Sequence, residues 1–322
     1  MEKSATLIYN PNSGLLDLVT RERIQNELEN VGYAVSYRPT EKEEDLDAVL
    51  DDVEPIVVAA GGDGTVRALT KRLLGRDVAL AILPMGTANN ISRALEVDAN
   101  PLQAVAGLEH PYVYDFDVGH VEAPWGEDVF LELCGMGFVA RALAQHGPEE
   151  ERTLARAVMA FGEALSEYRS HHLRMTLDGE SLVGDYAMAE VFNTPTLGPR
   201  LELAPQADPS DGRFDLLCVG AGDNLALMGQ LVALLADEEA EPPAVELRRG
   251  KHLEISWDGS PVHVDAELRP PGVEWPVEPG VHSLPGWEGG TLTIEMEAGA
   301  LRFLVPHAIP GAVALEEVDD AH

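Results

Sequence analysis

Two glycine-rich turns constrain the fold more than any other feature of this sequence. The first turn is residues 60–65 (AGGDGT), and the second is residues 84–90 (PMGTANN). Each follows a short apolar run typical of a buried parallel strand and precedes a segment with the apolar spacing of a helix. In a parallel sheet, both turns open at the same edge, outside the carboxyl ends of the strands, where ligands bind. The sequence therefore predicts an α/β domain with a ligand site at this edge.

The composition of the turns favours an anionic ligand. Glycines let backbone N–H groups approach an anion closely, and each helix N-terminus adds positive dipole, so two such turns predict a polyphosphate site. Asp63 would place a carboxylate beside the phosphates, and this is repulsive unless a cation lies between them. Asp63 therefore implies Mg²⁺ or a phosphate-accepting hydroxyl. The alternative is an ordinary glycine-rich turn in which Asp63 caps the helix.

Composition limits the classes of partner. The chain has 45% hydrophobic and 6% aromatic residues, which are values of a folded globular protein. Its formal net charge of -34 disfavours nucleic acid, whose binding requires basic surfaces, and it disfavours polybasic docking on anionic membranes. We expect no nucleic-acid partner. The acidic surface is suited to high salt or to solubility, with a specific cationic partner as the alternative.

Cysteine usage and the lack of long apolar runs predict a soluble, cytoplasmic protein. Cys134 and Cys218 both lie in apolar, strand-like runs, so we expect two buried thiols rather than a disulfide. The N-terminal residues show no apolar signal segment, and no apolar run approaches the roughly 20 residues that span a bilayer.

The pattern of strands and helices predicts two domains. Strands and helices alternate over residues 1–112, which predicts a doubly wound α/β domain with a parallel sheet. Residues 113–300 are mostly strand-like, which predicts a β-rich, sandwich-like substrate domain. Helices flanking it are expected over residues 137–168 and 224–235. The final stretch 301–315 is expected to return to the first domain.

The motifs of this sequence resemble those of the diacylglycerol kinase and sphingosine kinase superfamily, most closely its bacterial soluble lipid kinases. The three N-terminal signatures are matched by residues 10–14 (NPNSG), 61–65 (GGDGT) and 86–93 (GTANNISR). Residues 191–193 (VFN), 203–205 (LAP) and 210–216 (SDGRFDL) resemble the signature of the second domain, and residues 301–306 (LRFLVP) resemble the closing strand. The resemblance spans residues 5–306.

The resemblance implies an ATP- and Mg²⁺-dependent kinase that phosphorylates a hydroxyl of diacylglycerol or a related lipid. Asp63 would lie near the catalytic Mg²⁺. The residues implied to bind the nucleotide are Asn10, Gly61, Gly62, Asp63, Gly64, Thr65, Gly86, Thr87 and Asn89. A lipid substrate implies transient contact with a membrane, so that the cytoplasmic protein would also be found at the membrane periphery. A homodimer is left open. The apolar stretch 130–138 is expected to be core strand or, less favoured, an acyl channel.

The resemblance also implies two sites in the second domain. Asp211 would bind a structural Mg²⁺ with the backbone carbonyls of Asp208 and Arg213, and its alternative is a plain Asp-Gly turn. Residues 265–267 (DAE) align with the family's Asp-Gly-Glu, whose glutamate is the proposed general base. Glu267 would accept the proton of the lipid hydroxyl as its oxygen attacks the γ-phosphorus. Without the family, an Asp-x-Glu in so acidic a chain indicates a solvated surface.

Departures from the family pattern leave two alternatives open. Arg67-Ala68 replaces the usual Asn-Glu, Asn90 replaces an aspartate, and Ala266 replaces the glycine of Asp-Gly-Glu. Ala266 matters only if that backbone needs positive φ. These changes motivate a catalytically silent nucleotide- or lipid-binding regulator. The second alternative is a small-molecule kinase similar to NAD kinases, which share the first glycine turn. That function predicts an Asn-Glu pair in the second domain, but here Thr194 follows Asn193.

Overall fold

The computed structural model divides the chain into two compact units. One unit is Met1–Asp117 together with Ala298–His322, and the other is Val118–Glu297. The residues described are 3–10, 19–40, 42–146, 170–198, 201–220, 247–274, 284 and 286–316. The helix expected over 224–235, the part of the helix expected over 137–168 that follows residue 146, and residues 11–14 of the first signature lie outside these ranges.

The strands in chain order are β1 Lys3–Tyr9, β2 Tyr33–Pro39, β3 Ile56–Gly61, β4 Ala79–Pro84, β5 Tyr112–Ala123, β6 Gly126–Phe130, β7 Leu133–Gly137, β8 His171–Leu177, β9 Glu180–Phe192, β10 Thr196–Leu197, β11 Leu201–Glu202, β12 Phe214–Gly220, β13 Leu247–Gly250, β14 His252–Trp257, β15 Val262–Val264, β16 Glu267–Arg269, β17 Gly290–Val305 and β18 Val313–Ala314. The helices are α1 Arg21–Asn30, α2 Asp45–Leu50, α3 Asp63–Leu73, α4 Asn90–Ala94, α5 Pro101–Gly107 and α6 Phe138–His146.

The first unit is built on a parallel sheet. Its strand order is β2–β1–β3–β4, and Arg302–Leu304 at the end of β17 pairs in parallel with β4. Every residue of β3 is buried, which agrees with its unbroken apolar sequence, because a parallel strand is covered on both faces. The doubly wound α/β fold predicted for this part of the chain is confirmed.

Local sequence signals account for the ends of the helices in this unit. The Thr20 hydroxyl accepts the Arg23 N–H at the start of α1, and the Asn100 side chain accepts the Leu102 N–H at the start of α5. Pro101 follows at the first helical position, where its missing N–H removes no intrahelical bond. The Asn100-Pro101 pair therefore accounts for the start of α5.

The second unit is built from antiparallel strands. Long β9 pairs with β7, β8 and β12, and β8 pairs in turn with β14, which pairs with the first half of β17. Asp178 and Gly179, with φ of 47° and 87°, form the two-residue turn between β8 and β9. Both angles are positive, as a type I′ hairpin requires, and Asp-Gly is a residue pair that favours this turn. The β-rich, sandwich-like class expected for this part of the chain is confirmed.

The second unit buries two apolar clusters. Met136, Val191 and Trp257 belong to the larger cluster, and Phe138 of α6 belongs to a smaller one with Leu133 and Phe192. The stretch 130–138 thus contributes side chains to both clusters, in agreement with the favoured expectation of core strand. Cys134 and Cys218 are not joined by a disulfide; Cys134 is buried as expected, whereas Cys218 is only partly buried. Among the described residues, no helix has the length and apolar character needed to cross a membrane.

Candidate active site

The two glycine turns contact each other at the carboxyl ends of neighbouring strands. The Met85 N–H donates to the Gly61 carbonyl at 2.9 Å as β3 and β4 end. Beyond this bond the two backbones approach so closely that a Cβ on Gly86 would lie 2.7 Å from the Gly62 Cα. A Cβ on Gly62 would lie 3.0 Å from the Gly86 Cα. Glycine at both positions therefore allows the two turns to form one continuous surface.

Asn10, the first residue of the 10–14 signature, also reaches this surface. The Asn10 N–H donates to the Ala60 carbonyl at 3.0 Å, and the Asn10 Nδ2 donates to the Thr65 Oγ1 at 2.9 Å. Thr65 lies directly over Gly61, where a Cβ would meet its Oγ1 at 2.4 Å. Asn10, Gly61 and Thr65 are therefore brought together at the sheet edge.

Asn89 shapes the second turn from within. It has a φ of 50° and lies just before α4, so it adopts the left-handed conformation that asparagine tolerates better than most residues. Its Oδ1 accepts the Gly86 N–H at 2.9 Å, and its Nδ2 donates to the Gly86 carbonyl at 2.8 Å. The Gly86 N–H is thus already used within the turn, while Thr87 beside it is exposed.

Asp63 connects the first turn to the second. It is the first residue of α3, and its Oδ1 accepts the Ile91 N–H at 3.3 Å. Burial raises the pKa of the Asp63 carboxyl, whereas the backbone N–H groups of the second turn and the charge of Arg67 act in the opposite direction. Arg67 folds back over the start of the helix, where its Nη2 lies 3.8 Å from a Cβ built on Gly64. Asp63 thus has a structural contact that the sequence did not indicate.

In the second unit, Asp265 and Ala266 form the turn of a hairpin between β15 and β16. Their φ values are 47° and 64°, the two positive angles of a type I′ turn. The Asp265 carboxylate is buried and accepts the backbone N–H groups of Leu131, Glu132 and Leu133 at 2.8, 2.8 and 3.0 Å. It therefore anchors the hairpin that carries Glu267 to the segment between β6 and β7.

The positive φ of Ala266 gives a prediction for stability. We expect Ala266→Gly to raise the free energy of unfolding by about 0.5–1 kcal/mol. The left-handed conformation costs a residue with a Cβ about 1–2 kcal/mol, and glycine avoids this cost. Part of the gain is offset because glycine loses more conformational entropy on folding. Denaturant unfolding of both proteins measures the difference. Ala187→Gly, in the buried strand β9, is the matched control and should destabilise. Equal destabilisation by both substitutions would contradict the assigned turn.

The buried Asp265 carboxylate gives a larger effect. We expect Asp265→Ala to lower the free energy of unfolding by about 3 kcal/mol or more, because three buried N–H groups lose a charged acceptor. Asp185→Ala, at an exposed position, is the control and should shift it by about 0.5 kcal/mol or less. Thermal and urea unfolding provide the measurement, and similar values for the two variants would contradict the anchoring role.

Glu267 contacts a cation that sequence reasoning did not single out. Its Oε2 lies 2.9 Å from the Arg269 Nη2, and 43% of its side chain is exposed. The Arg269 Nε donates to the Asp128 Oδ2 at 2.6 Å, and these two side chains are only 13% and 9% exposed. The available signal was the spacing of two residues along a strand, which places Glu267 and Arg269 on the same face. Nothing local indicates Asp128.

Asp211 has donors on both carboxylate oxygens. Its Oδ1 accepts the Arg213 N–H at 2.9 Å, and its Oδ2 forms an ion pair with Arg249. Arg249 also faces the buried Asp215, and burial raises the pKa of that carboxyl to about 6. A Mg²⁺ ion would need the oxygen that the guanidinium holds. The residues present here therefore do not fit a resident Mg²⁺. Among the described residues, no group of three or more His, Cys, Asp or Glu side chains could hold a metal ion.

The residues implied by the resemblance divide between the units. Those implied to bind the nucleotide, from Asn10 to Asn89, all belong to the first unit, where their turns meet. Asp211 and Glu267 belong to the second unit.

Comparisons with known proteins match both units. Residues 4–121 match the model of the diacylglycerol kinase catalytic domain, and residues 134–284 match that of the YegS C-terminal NAD kinase beta sandwich-like domain. A Pseudomonas fluorescens protein named "Probable lipid kinase YegS-like" is 27% identical, over 96% of this chain and 95% of that protein. A diacylglycerol kinase of Staphylococcus haemolyticus is 29% identical, over 80% of this chain and 79% of that protein.

Solved structures share the fold. A crystal structure of a Bacillus anthracis protein superposes with a TM-score of 0.71 at 22% identity, over 94% of this chain and 95% of that one. The family models match consecutive stretches that together span most of the sequence, and every motif identified above except residues 301–306 lies within them. The chain belongs to the diacylglycerol kinase superfamily.

Proposed function

We propose that this protein is a lipid kinase that transfers the γ-phosphoryl group of ATP to a hydroxyl of diacylglycerol or a related lipid. The observation that carries the proposal is the meeting of Asn10 and the two glycine turns at one sheet edge, through the Asn10–Thr65 hydrogen bond and the Gly62–Gly86 backbone contact. Its membership of the diacylglycerol kinase superfamily supports the same reaction.

The glycine turns supply the phosphate-binding part of the proposal. A backbone without Cβ atoms lets the phosphates of ATP approach closely, and α3, eleven residues long, directs its positive end toward them. Mg²⁺ enters with ATP as part of the substrate, and when bound it neutralises charge that develops on the phosphates. Asp63 keeps the two turns in register and places one carboxylate at this edge.

Glu267 supplies the base in the proposed reaction. A new bond forms between the lipid hydroxyl oxygen and the γ-phosphorus, and the bond from that phosphorus to the bridging oxygen of ADP breaks. The hydroxyl proton passes to the Glu267 carboxylate, which is exposed enough to meet a substrate. The positioning of the oxygen in line with the leaving group contributes most of the rate, and the base prevents the proton from remaining on the product.

The net charge constrains how such an enzyme meets its substrate. With a formal charge of -34, electrostatic attraction to an anionic membrane is not available. We propose that transient docking at the membrane periphery uses apolar contact or bridging divalent cations. The lipid should therefore be presented in uncharged micelles or vesicles.

The test is transfer of labelled phosphate from ATP to a total lipid extract and to diacylglycerol in uncharged micelles. We expect a labelled phospholipid that requires Mg²⁺. ATP binding without any labelled lipid would overturn the kinase proposal and favour the silent regulator. Label that appears only on NAD, offered as acceptor in a parallel reaction, would favour the small-molecule kinase. Asp63→Ala, which removes a contact between the turns, is expected to raise the KM for ATP in the same assay.

A further inference from the structure

We infer that Arg269, held by Asp128, is a positioning residue for Glu267. This inference rests on the proposed function, because it concerns the proton transfer assigned to Glu267. It adds Asp128 of β6 and Arg269 of β16 to the Glu267 site that the family motif implies.

The anchor of Arg269 is almost entirely buried. Its Nε donates to the Asp128 Oδ2 at 2.6 Å, its Nη1 donates to the Leu268 carbonyl at 3.1 Å, and its Nη2 also contacts Asp128. Asp128 is itself fixed, because its Oδ1 accepts the Val129 N–H at 2.9 Å. A planar guanidinium with several donors engaged keeps one orientation, whereas a lysine ammonium would hold a single point contact.

The hairpin places Glu267 at the exposed end of this anchor. Glu267 follows the Asp265–Ala266 turn and lies two residues before Arg269, so both side chains project from the same face of β16. The Arg269 Nη2 reaches the Glu267 Oε2 at 2.9 Å. Two sets of contacts therefore fix the position of the Glu267 carboxylate. Asp265 holds the backbone of the turn before it, and the Asp128–Arg269 pair holds its side chain.

The charge of Arg269 has a chemical consequence for Glu267. A guanidinium within hydrogen-bond distance stabilises the ionised form of a carboxylate, and the low exposure of Arg269 reduces screening by water. The contact therefore favours the carboxylate form of Glu267, which is the form that accepts a proton. The cost is a weaker base, which a phosphoryl transfer with a loose transition state tolerates.

The experiment compares Arg269→Gln, Arg269→Lys and Asp128→Asn with the wild type in the lipid transfer assay over a range of pH. For Arg269→Gln we expect kcat to fall by about 10- to 100-fold, with little change in the KM for ATP. The acid limb of its kcat profile should move up by about one pH unit. Arg269→Lys keeps the charge, so its acid limb should stay in place while kcat falls. Asp128→Asn should lower kcat without moving the KM for ATP.

The control is Arg248→Gln, which removes an exposed pair with Glu180 from the same unit and should match the wild type. Thermal unfolding of all variants shows whether a loss of activity comes from a loss of folding. The acid limb of the kcat profile is the second readout, because a purely structural role for Arg269 would not move it. An active wild type with an unmoved acid limb and unchanged kcat in Arg269→Gln overturns this inference alone. A wild type that transfers no phosphate overturns the proposed function and this inference together.

Discussion

Replacing Glu267 with glutamine is expected to lower kcat for lipid phosphorylation by about 10²- to 10⁴-fold, the range typical of a lost general base. Glutamine keeps the size of the side chain and its exposure at the start of β16, but it cannot take the hydroxyl proton. The affinity for ATP should stay within about twofold, because the residues proposed to bind the phosphates belong to the other unit. Initial rates with labelled ATP and nucleotide titrations measure the two quantities.

The control for this substitution is Glu254→Gln, an exposed glutamate of β14 in the same unit. It should leave both kcat and ATP affinity unchanged, and Glu267→Gln should unfold at the same temperature as the wild type. Full activity of Glu267→Gln would remove the role of base from this residue. The proposed nucleotide site would then stand without an identified base.

Replacing Gly86 with alanine is expected to reduce ATP affinity by tenfold or more and to destabilise the first unit by about 1–3 kcal/mol. The added Cβ would lie 2.7 Å from the Gly62 Cα and 2.8 Å from the Asn89 Oδ1. The Gly62 contact is with backbone that belongs to the start of α3, so no side-chain rotation relieves it. The two turns must separate, and the surface proposed to bind phosphates is divided. Equilibrium binding of ATP and urea unfolding report the two effects.

Gly64→Ala is the matched control for stability. A Cβ at this position meets only the Arg67 Nη2, at 3.8 Å, and the residue is helical, where alanine is favoured over glycine. We expect it to unfold at or above the urea concentration of the wild type. If Gly86→Ala is as stable as Gly64→Ala and binds ATP normally, the close contact between the two turns is not a feature of the protein in solution.

Features with a local cause were predictable from the sequence. The strands before each glycine turn, the helix start at Asn100 and the hairpin at Asp178 and Gly179 all follow from residues adjacent in the chain. The association of the glycine turns also follows, because parallel strands end at a common edge.

Features that depend on contacts between distant segments were not predictable. Asp128 and Arg269 are 141 residues apart, and Asp265 contacts N–H groups more than 130 residues away. Such contacts depend on strand register, which hydrophobic alternation alone does not identify between β6, β7 and β15. The pairing of Asp211 with Arg249 has the same origin: β12 and β13 align Asp215 with Arg249, and this brings the guanidinium to a carboxylate that the family motif assigns to a metal.

The path of β17 determines when the first sheet can be completed during translation. Strands β1 to β4 of the parallel sheet are complete by residue 84, but the strand beside β4 is residues 302–304. A ribosome must therefore translate the whole second unit before that edge of the first sheet can be paired. Until then β4, apolar and buried in the finished protein, presents open backbone groups that favour association with other chains. Of the two units, the one whose strands are translated earlier is thus the one whose sheet is completed later.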